Sequence, residues 1–137
     1  MSEEYTFEWP VRVYYEDTDA GGVVYYANYL KFYERARTEA VRSIGFSQEE
    51  MRTESNTVFV VGNINVNYRR PAKLDDELIV QLRLDKIARS YIVFHQQIVC
   101  ADQVLGTAEV KVACVSADQM KPVAIPAQLR EKLTQLA

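Results

Sequence analysis

Three acids fall within four residues, Glu16, Asp17 and Asp19, and two glycines, Gly21 and Gly22, follow at once. Clustered carboxylates repel, and the arrangement costs free energy unless the charge is used. Gly21 and Gly22 permit backbone angles closed to other residues and let a ligand approach the main chain. A helical pattern begins a few residues on. A helix start offers unpaired N–H groups and a partial positive charge. An acid on such a turn stands where a nucleophile or general base meets an oxyanion-stabilising donor. Taken alone, Asp19 has a plainer role as the cap of a turn, and Glu16 and Asp17 read as turn or arginine partners. Asn28 reads first as a helix cap and second as a group that orients water.

The elements around this loop follow from periodicity. Tyr5, Phe7, Trp9, Val11, Val13 and Tyr15 alternate with polar residues, which predicts a half-buried strand over 5–15, with Pro10 marking an edge or a bulge. Tyr29, Tyr33, Ala36, Ala40 and Ile44 make one apolar stripe, so the spacing predicts a helix from about Asn28 to Ile44, stopped by Gly45. Glu34 with Arg35 and Arg37 reads as an ordinary helical surface group. Residues 47–56 are a loop or a short helix from Ser47. Four strands follow. The first carries Val58, Val60, Gly62, Ile64, Val66 and Tyr68 on one face, and the second Leu78, Val80, Leu82 and Leu84. The third has Ile92, Phe94, Ile98 and Cys100; the fourth has Val104, Ala108, Val110, Val112 and Cys114. Residues 127–136 fit a short C-terminal helix. Strand, helix and four strands with short connections predict an α+β fold, one long helix packed on an antiparallel sheet.

The run EDTDAGGVVYYANYLKFYERART (residues 16–38) resembles the hotdog-fold acyl-CoA thioesterases of the 4-hydroxybenzoyl-CoA thioesterase type. It is most similar to the YbgC branch, associated with the Tol–Pal system of Gram-negative bacteria. The likeness runs from about Trp9 to about Pro126. One departure is Tyr26, where the YbgC branch commonly has His; Tyr there is more like the 4-hydroxybenzoyl-CoA branch. The resemblance implies a hotdog fold, a five-stranded antiparallel sheet wrapped around one long central helix. It makes Asp19, the second acid of D-T-D, the catalytic carboxylate. It gives the Tyr26 N–H the thioester oxygen, with Gly22 and Asn28 in the same oxyanion and substrate-binding set. It places Arg89 and Ser90 on coenzyme A phosphates, with positive charge added by Lys86, Arg69 and Arg70. Some relatives carry their acid in mid-helix, which keeps Glu34 as a competitor.

A carboxylate can attack a thioester to form an acyl-enzyme anhydride, or it can activate water. Thiolate leaves readily, so no strong general acid is needed. The implied function is hydrolysis of an acyl-CoA, short-chain aliphatic in the first instance, to free acid and CoA. The alternatives are an aromatic, 4-hydroxybenzoyl-type acyl-CoA and a non-catalytic acyl-thioester or acyl-carrier binding module. Coenzyme A enters as part of the substrate; no other cofactor and no metal is expected. The resemblance also implies a homo-oligomer, dimer or tetramer, with the site at a subunit interface and acyl carrier protein as a candidate partner.

Composition bounds the rest. At 137 residues with 48% hydrophobic content, the chain fits one domain spanning 1–137. A net charge of −3 argues against nucleic-acid binding. No apolar run is long enough to span a bilayer, and Met1-Ser2-Glu3-Glu4 lacks the apolar stretch of a secretory signal. If the last two strands form a hairpin near Asp102, Cys114 lies opposite Ser90 and not Cys100. A disulfide is then not expected, and the cytoplasm is the natural compartment. His95, the sole histidine, reads as structural, and no Cys/His cluster has zinc-ligand spacing.

Overall fold

Apolar alternation becomes an antiparallel sheet in the computed structural model, which describes residues 5–137; the N-terminal reading of Met1-Ser2-Glu3-Glu4 lies outside them. In chain order the main elements are β1 (Phe7–Arg12), α1 (Asn28–Ser43), α2 (Gln48–Ser55) and β2 (Thr57–Tyr68). Then come β3 (Glu77–Ile87), β4 (Tyr91–Cys100), β5 (Gln103–Ser116) and α3 (Ala127–Leu133). The sheet order is β1-β3-β4-β5-β2, and every neighbouring pair is antiparallel. Sheet and helix together are the expected α+β hotdog layout. β1 lies at one edge, which accommodates Pro10 opposite Ile79. β2 forms the other edge.

Helix α1 seats itself with Tyr29, Phe32, Tyr33, Ala36, Arg37, Ala40 and Val41 buried. Ala36 and Ala40 are fully enclosed, and their small side chains let the helix approach the sheet. Beneath lie Leu78, Val80 and Leu82, then Ile92, Phe94 and Ile98, then Ala108 and Val110. The helix ends as expected. Gly45 at φ 93° donates to the Arg42 carbonyl, and Phe46 donates to that of Val41, the paired bonds of a glycine-terminated helix. Ile44 is only half-buried, and Phe32 and Val41 extend the stripe instead.

The structure corrects four expectations. β1 ends at Arg12, and Tyr15 turns out to solvent in a 3₁₀ turn over Tyr15–Asp17, because the chain leaves the sheet to build the acidic loop. Arg37 is buried, not part of a surface group. In β2 the expected face is right only after Gly62. Val61 pairs with Val112 and Asn63 with Lys111, so Gly62 is an extra residue, a β-bulge. The bulge reverses the alternation: Phe59 and Val61 share a face with Ile64 and Val66, and Val58 and Val60 take the other. Likewise Ile98 pairs with Gly106 and Val99 with Val104, which leaves Leu105 extra; Leu105 is buried where Val104 was expected. The β4–β5 hairpin turns at Ala101 and Asp102, both with positive φ. As the hairpin requires, the Cys114 N–H meets the Ser90 carbonyl at 2.7 Å, and both cysteines are free thiols.

Gly106 lies where β5 passes under α1. A Cβ there would stand 3.0 Å from the Asn67 carbonyl oxygen and 3.3 Å from the Tyr33 hydroxyl. Backbone cannot yield as a side-chain tip can. Gly106→Ala should therefore lower unfolding free energy by about 1–3 kcal/mol, measured as a reduced urea midpoint at unchanged m-value.

Candidate active site

The acidic loop is a small hairpin tied down on three sides. Thr18 pairs with Val24, and the Asp19 N–H donates to the Val23 carbonyl at 2.9 Å. Val24 in turn donates to Ala72 at 2.8 Å, which fixes the hairpin to the segment before β3. Asp17 is structural, as read from the sequence. Its Oδ2 accepts from the Tyr14 N–H at 2.9 Å, and its carbonyl accepts from both the Tyr25 N–H and Asn28 Nδ2 at 3.0 Å. Asn28 thus does not cap the helix. It is the first helical residue, and its amide locks the loop to the helix start.

Asp19 occupies the hairpin tip, exposed to solvent. Its Oδ1 accepts from the Gly21 N–H at 2.8 Å, and Gly22 donates to the Asp19 carbonyl at 3.0 Å. The turn-capping role is real for one carboxylate oxygen; Oδ2 takes no bond among the described residues. Both glycines are explained by this geometry. A Cβ on Gly21 would lie 3.2 Å from Asp19 Oδ1, and Gly22 adopts φ 80°.

The start of α1 is bare. Ala27 is its N-cap residue and supplies no side-chain bond, and the first turn holds no acid. Among the described residues, the N–H groups of Tyr26 and Ala27 donate to no acceptor. The Tyr26 ring is largely exposed, and its carbonyl accepts from the Tyr68 hydroxyl at 3.2 Å. Tyr26 meets Tyr68 edge-on at 6.0 Å between ring centroids, and Tyr29 lies 5.2 Å from Tyr68. These rings and Arg69, Arg70 and Pro71 line a cavity of about 260 Å³. Tyr29 accepts from the Ala72 N–H at 2.9 Å, and burial raises its hydroxyl pKa, so the ring is fixed and neutral. Tyr68 is the member that sequence reasoning missed as a site residue. It lies about 40 residues from the motif, and only the β2 register brings it back.

Arg89 and Ser90 lie elsewhere in the chain. They form the β3–β4 turn, whereas the Asp19 loop packs beside residues 72–76 before β3. The length of β3, about 30 Å for its strand rise, separates the two ends. Glu34 is exposed on α1 and accepts from the Thr38 hydroxyl. His95 lies in β4 and stacks with Tyr5 at 5.9 Å. Folding also gathers Asp85, His95 and Glu109 from three adjacent strands, with ligand-type atoms within 4.8 Å of one another. Linear spacing could not reveal that group. Asp85 is already ion-paired to Arg83 Nε at 2.7 Å.

Comparison with known proteins decides the family. The model of the thioesterase-like superfamily matches residues 13–133. The chain belongs to this superfamily. An acyl-CoA thioesterase YbgC of Haemophilus influenzae is 48% identical over 124 residues, covering 90% of this chain and 91% of that protein. An acyl-CoA thioester hydrolase YbgC of Escherichia coli is 52% identical over 121 residues, covering 88% and 90%. Among solved structures, a probable thioesterase from Bartonella henselae superposes with TM-score 0.83 at 34% identity, covering 87% of this chain and 98% of that one. The family match spans the acidic loop, α1 and strands β2 to β5. Among the described residues no helix is long and apolar enough to cross a membrane.

Among the described residues, the Asn28 amide makes the one side-chain hydrogen bond between loop and helix start. Asn28→Ala should speed amide hydrogen exchange across residues 17–24, with Tm falling by a few degrees, for a loss of about 1 kcal/mol. Unchanged exchange would show that the backbone bonds alone hold the loop.

Proposed function

We propose that the protein hydrolyses acyl-CoA thioesters to free acid and CoA, with short aliphatic acyl groups as substrates and Asp19 as the catalytic carboxylate. The observation that carries this is a carboxylate with a free oxygen on a hydrogen-bonded hairpin that leads into α1 through two N–H groups, those of Tyr26 and Ala27, with no acceptor among the described residues. The names of the H. influenzae and E. coli relatives, at about half identity over most of both chains, support the reaction class.

In this reading the thioester carbonyl oxygen lies against the Tyr26 N–H, where charge develops in the tetrahedral intermediate. One such donor contributes roughly 3–4 kcal/mol to a transition state. Gly22 keeps the approach open. Asp19 either attacks the carbonyl carbon, expelling CoA thiolate and leaving an anhydride for water to cleave, or takes a proton from attacking water. Asn28 holds the loop rather than the water. No metal or further cofactor has a step to perform. Arg69 and Arg70 flank the tyrosine cavity and suit CoA phosphates through their forked donors.

Arg89 and Ser90 join such a site only from a second copy. β2 is an unpaired edge, and antiparallel pairing of two β2 edges sets the Tyr68 end of one against the Thr57 end of the other. Ser90 stands opposite Cys114, which pairs with Phe59 near that end. We therefore read the working form as a homo-oligomer, dimers paired into a tetramer, in the cytoplasm. The similarity to YbgC proteins is the ground for placing it beside the Tol–Pal system, with acyl carrier protein as a second acyl donor. One observation favours a second substrate class: the Tyr26, Tyr29 and Tyr68 rings offer an aromatic acyl group faces and edges to pack on.

Free-thiol release from a panel of acyl-CoAs tests the reading. Asp19→Asn should lose about a thousandfold or more in kcat while keeping its fold and oligomeric state. Full activity in that variant would move the acid to Glu34. Faster turnover of benzoyl than butyryl thioesters would select the aromatic class. Tight binding without turnover on any thioester would make the protein an acyl-thioester binding module.

A further inference from the structure

Nine residues after Asn28, α1 buries a cation with no anion beside it. Arg37 is 9% exposed, and its Nη1 donates to Gln96 Oε1 at 3.0 Å. Gln96 is fully enclosed, and its own Nε2 donates to the Tyr33 carbonyl at 2.9 Å, so its oxygen is held facing Arg37. Among the described residues, no carboxylate oxygen lies within ion-pair distance of the guanidinium. Glu34, one turn earlier, accepts from Thr38 and acts on Arg37 only at longer range. Burial lowers the Arg37 pKa to about 10, which leaves it charged at neutral pH. A guanidinium carries five N–H donors; Gln96 takes one from Nη1, and the other nitrogens are not among the fully buried unpartnered atoms of the described residues.

Arg37 lines a cavity of about 130 Å³ between α1 and the first half of β2. Its other walls are mainly apolar, with Val41, Phe59, Val61, Ile92, Phe94 and Val112, and Glu34, Thr38 and Gln48 complete the lining. The Gly62 bulge creates this wall, since without it Phe59 and Val61 would face away. Val61 is half exposed and forms the mouth. A forked donor at the bottom of a small apolar slot matches a planar two-oxygen acceptor on a short alkyl chain. Phosphate, a larger anion with no alkyl part, leaves the apolar walls unused.

We propose that this slot binds the carboxylate of a short-chain carboxylic acid, with Arg37 as the recognition group and Phe59, Val61, Ile92 and Phe94 around the alkyl chain. Two sources supply that chemistry. One is the free acid released by thioester hydrolysis. The other is the far carboxylate of a dicarboxylic acid joined to CoA through its first carboxyl. Naming these sources rests on the thioesterase reading; binding of the acid itself does not.

Calorimetric titration of the whole protein with butyrate and with succinate tests the site without turnover. The wild type should bind at least one of them, and Arg37→Met should weaken that binding by about tenfold or more. Methionine fills similar volume, and replacing a buried charge by an apolar group is commonly tolerated. Should Arg37→Met not fold, Val61→Phe, which narrows the mouth from the surface, should weaken binding in its place. Kinetics then separates the sources. Preference for succinyl-CoA over butyryl-CoA that vanishes in the variant identifies the dicarboxylic substrate. Competitive inhibition by butyrate that vanishes in the variant identifies the product. No binding of either acid by the wild type, or equal binding by wild type and a folded variant, overturns the proposal even if thioesters are hydrolysed normally.

Discussion

The seating of α1 on the sheet is the constraint from which the rest follows. Ala36 and Ala40 are fully enclosed and give the helix little side-chain bulk against the sheet, so its axis is set by close contact, chiefly with β3 and β1. Once the axis is set, so is the position of its first turn, and the acidic loop has nowhere else to end. The loop's bonds to Asn28 and Ala72 then transmit that rigidity to the hairpin carrying Asp19. A change at Ala36 or Ala40 would therefore act on the loop at a distance, by lifting the whole helix. Packed interiors pass displacement on in this way because they have little free volume to absorb it.

The two faces of β2 give the helix different company along its length. Past Gly62, the strand presents Ile64, Val66 and Tyr68, and the last of these closes the tyrosine cavity at the helix start. Before Gly62, it presents Phe59 and Val61 to the middle of α1, beside Arg37. An unbroken strand would keep one phase throughout and could not put apolar walls at both places. Gly62 is one extra residue in a 12-residue strand, yet it decides which side chains face the helix over half of that strand.

What the sequence disclosed follows the range of the interactions. Alternation, the apolar stripe and Gly45 are local signals, and they placed α1 to within a residue and β3 with all four of its buried residues. The bulges at Gly62 and Leu105 were not legible, because an extra residue shows only against the partner strand. Arg37 was misplaced for the same reason: its polar partner, Gln96, is 59 residues away in what reads as an apolar strand. For the site, the motif identified Asp19, the glycines and Tyr26 as neighbours. It gave Asn28 a capping role because Asn before a helix usually caps it, whereas here the acceptor is the Asp17 carbonyl. Tyr68 and the Asp85–His95–Glu109 grouping depend on strand register, which no linear spacing encodes.

The helices themselves argue that the bare start of α1 is not a failure of local chemistry. The same chain caps α2 fully, though not α3. Ser47 accepts from the Glu50 N–H at 3.1 Å and donates back to the Glu50 carboxylate, and two acids occupy the first turn of α2. Helix α1 is twice as long, 16 residues against 8, and has neither device. A capping side chain is worth about 1 kcal/mol, so the omission is costly. A capping side chain would compete with the Tyr26 and Ala27 carbonyls, which already accept from the Tyr29 and Leu30 N–H groups at 3.2 Å, and an acid there would repel any incoming negative charge. What stays without an acceptor among the described residues is the pair of N–H groups just before α1, those of Tyr26 and Ala27, at the positive end of the helix dipole. Stability is thus supplied where α1 meets the sheet and through Asn28 where it meets the loop, and only the side-chain cap is left out.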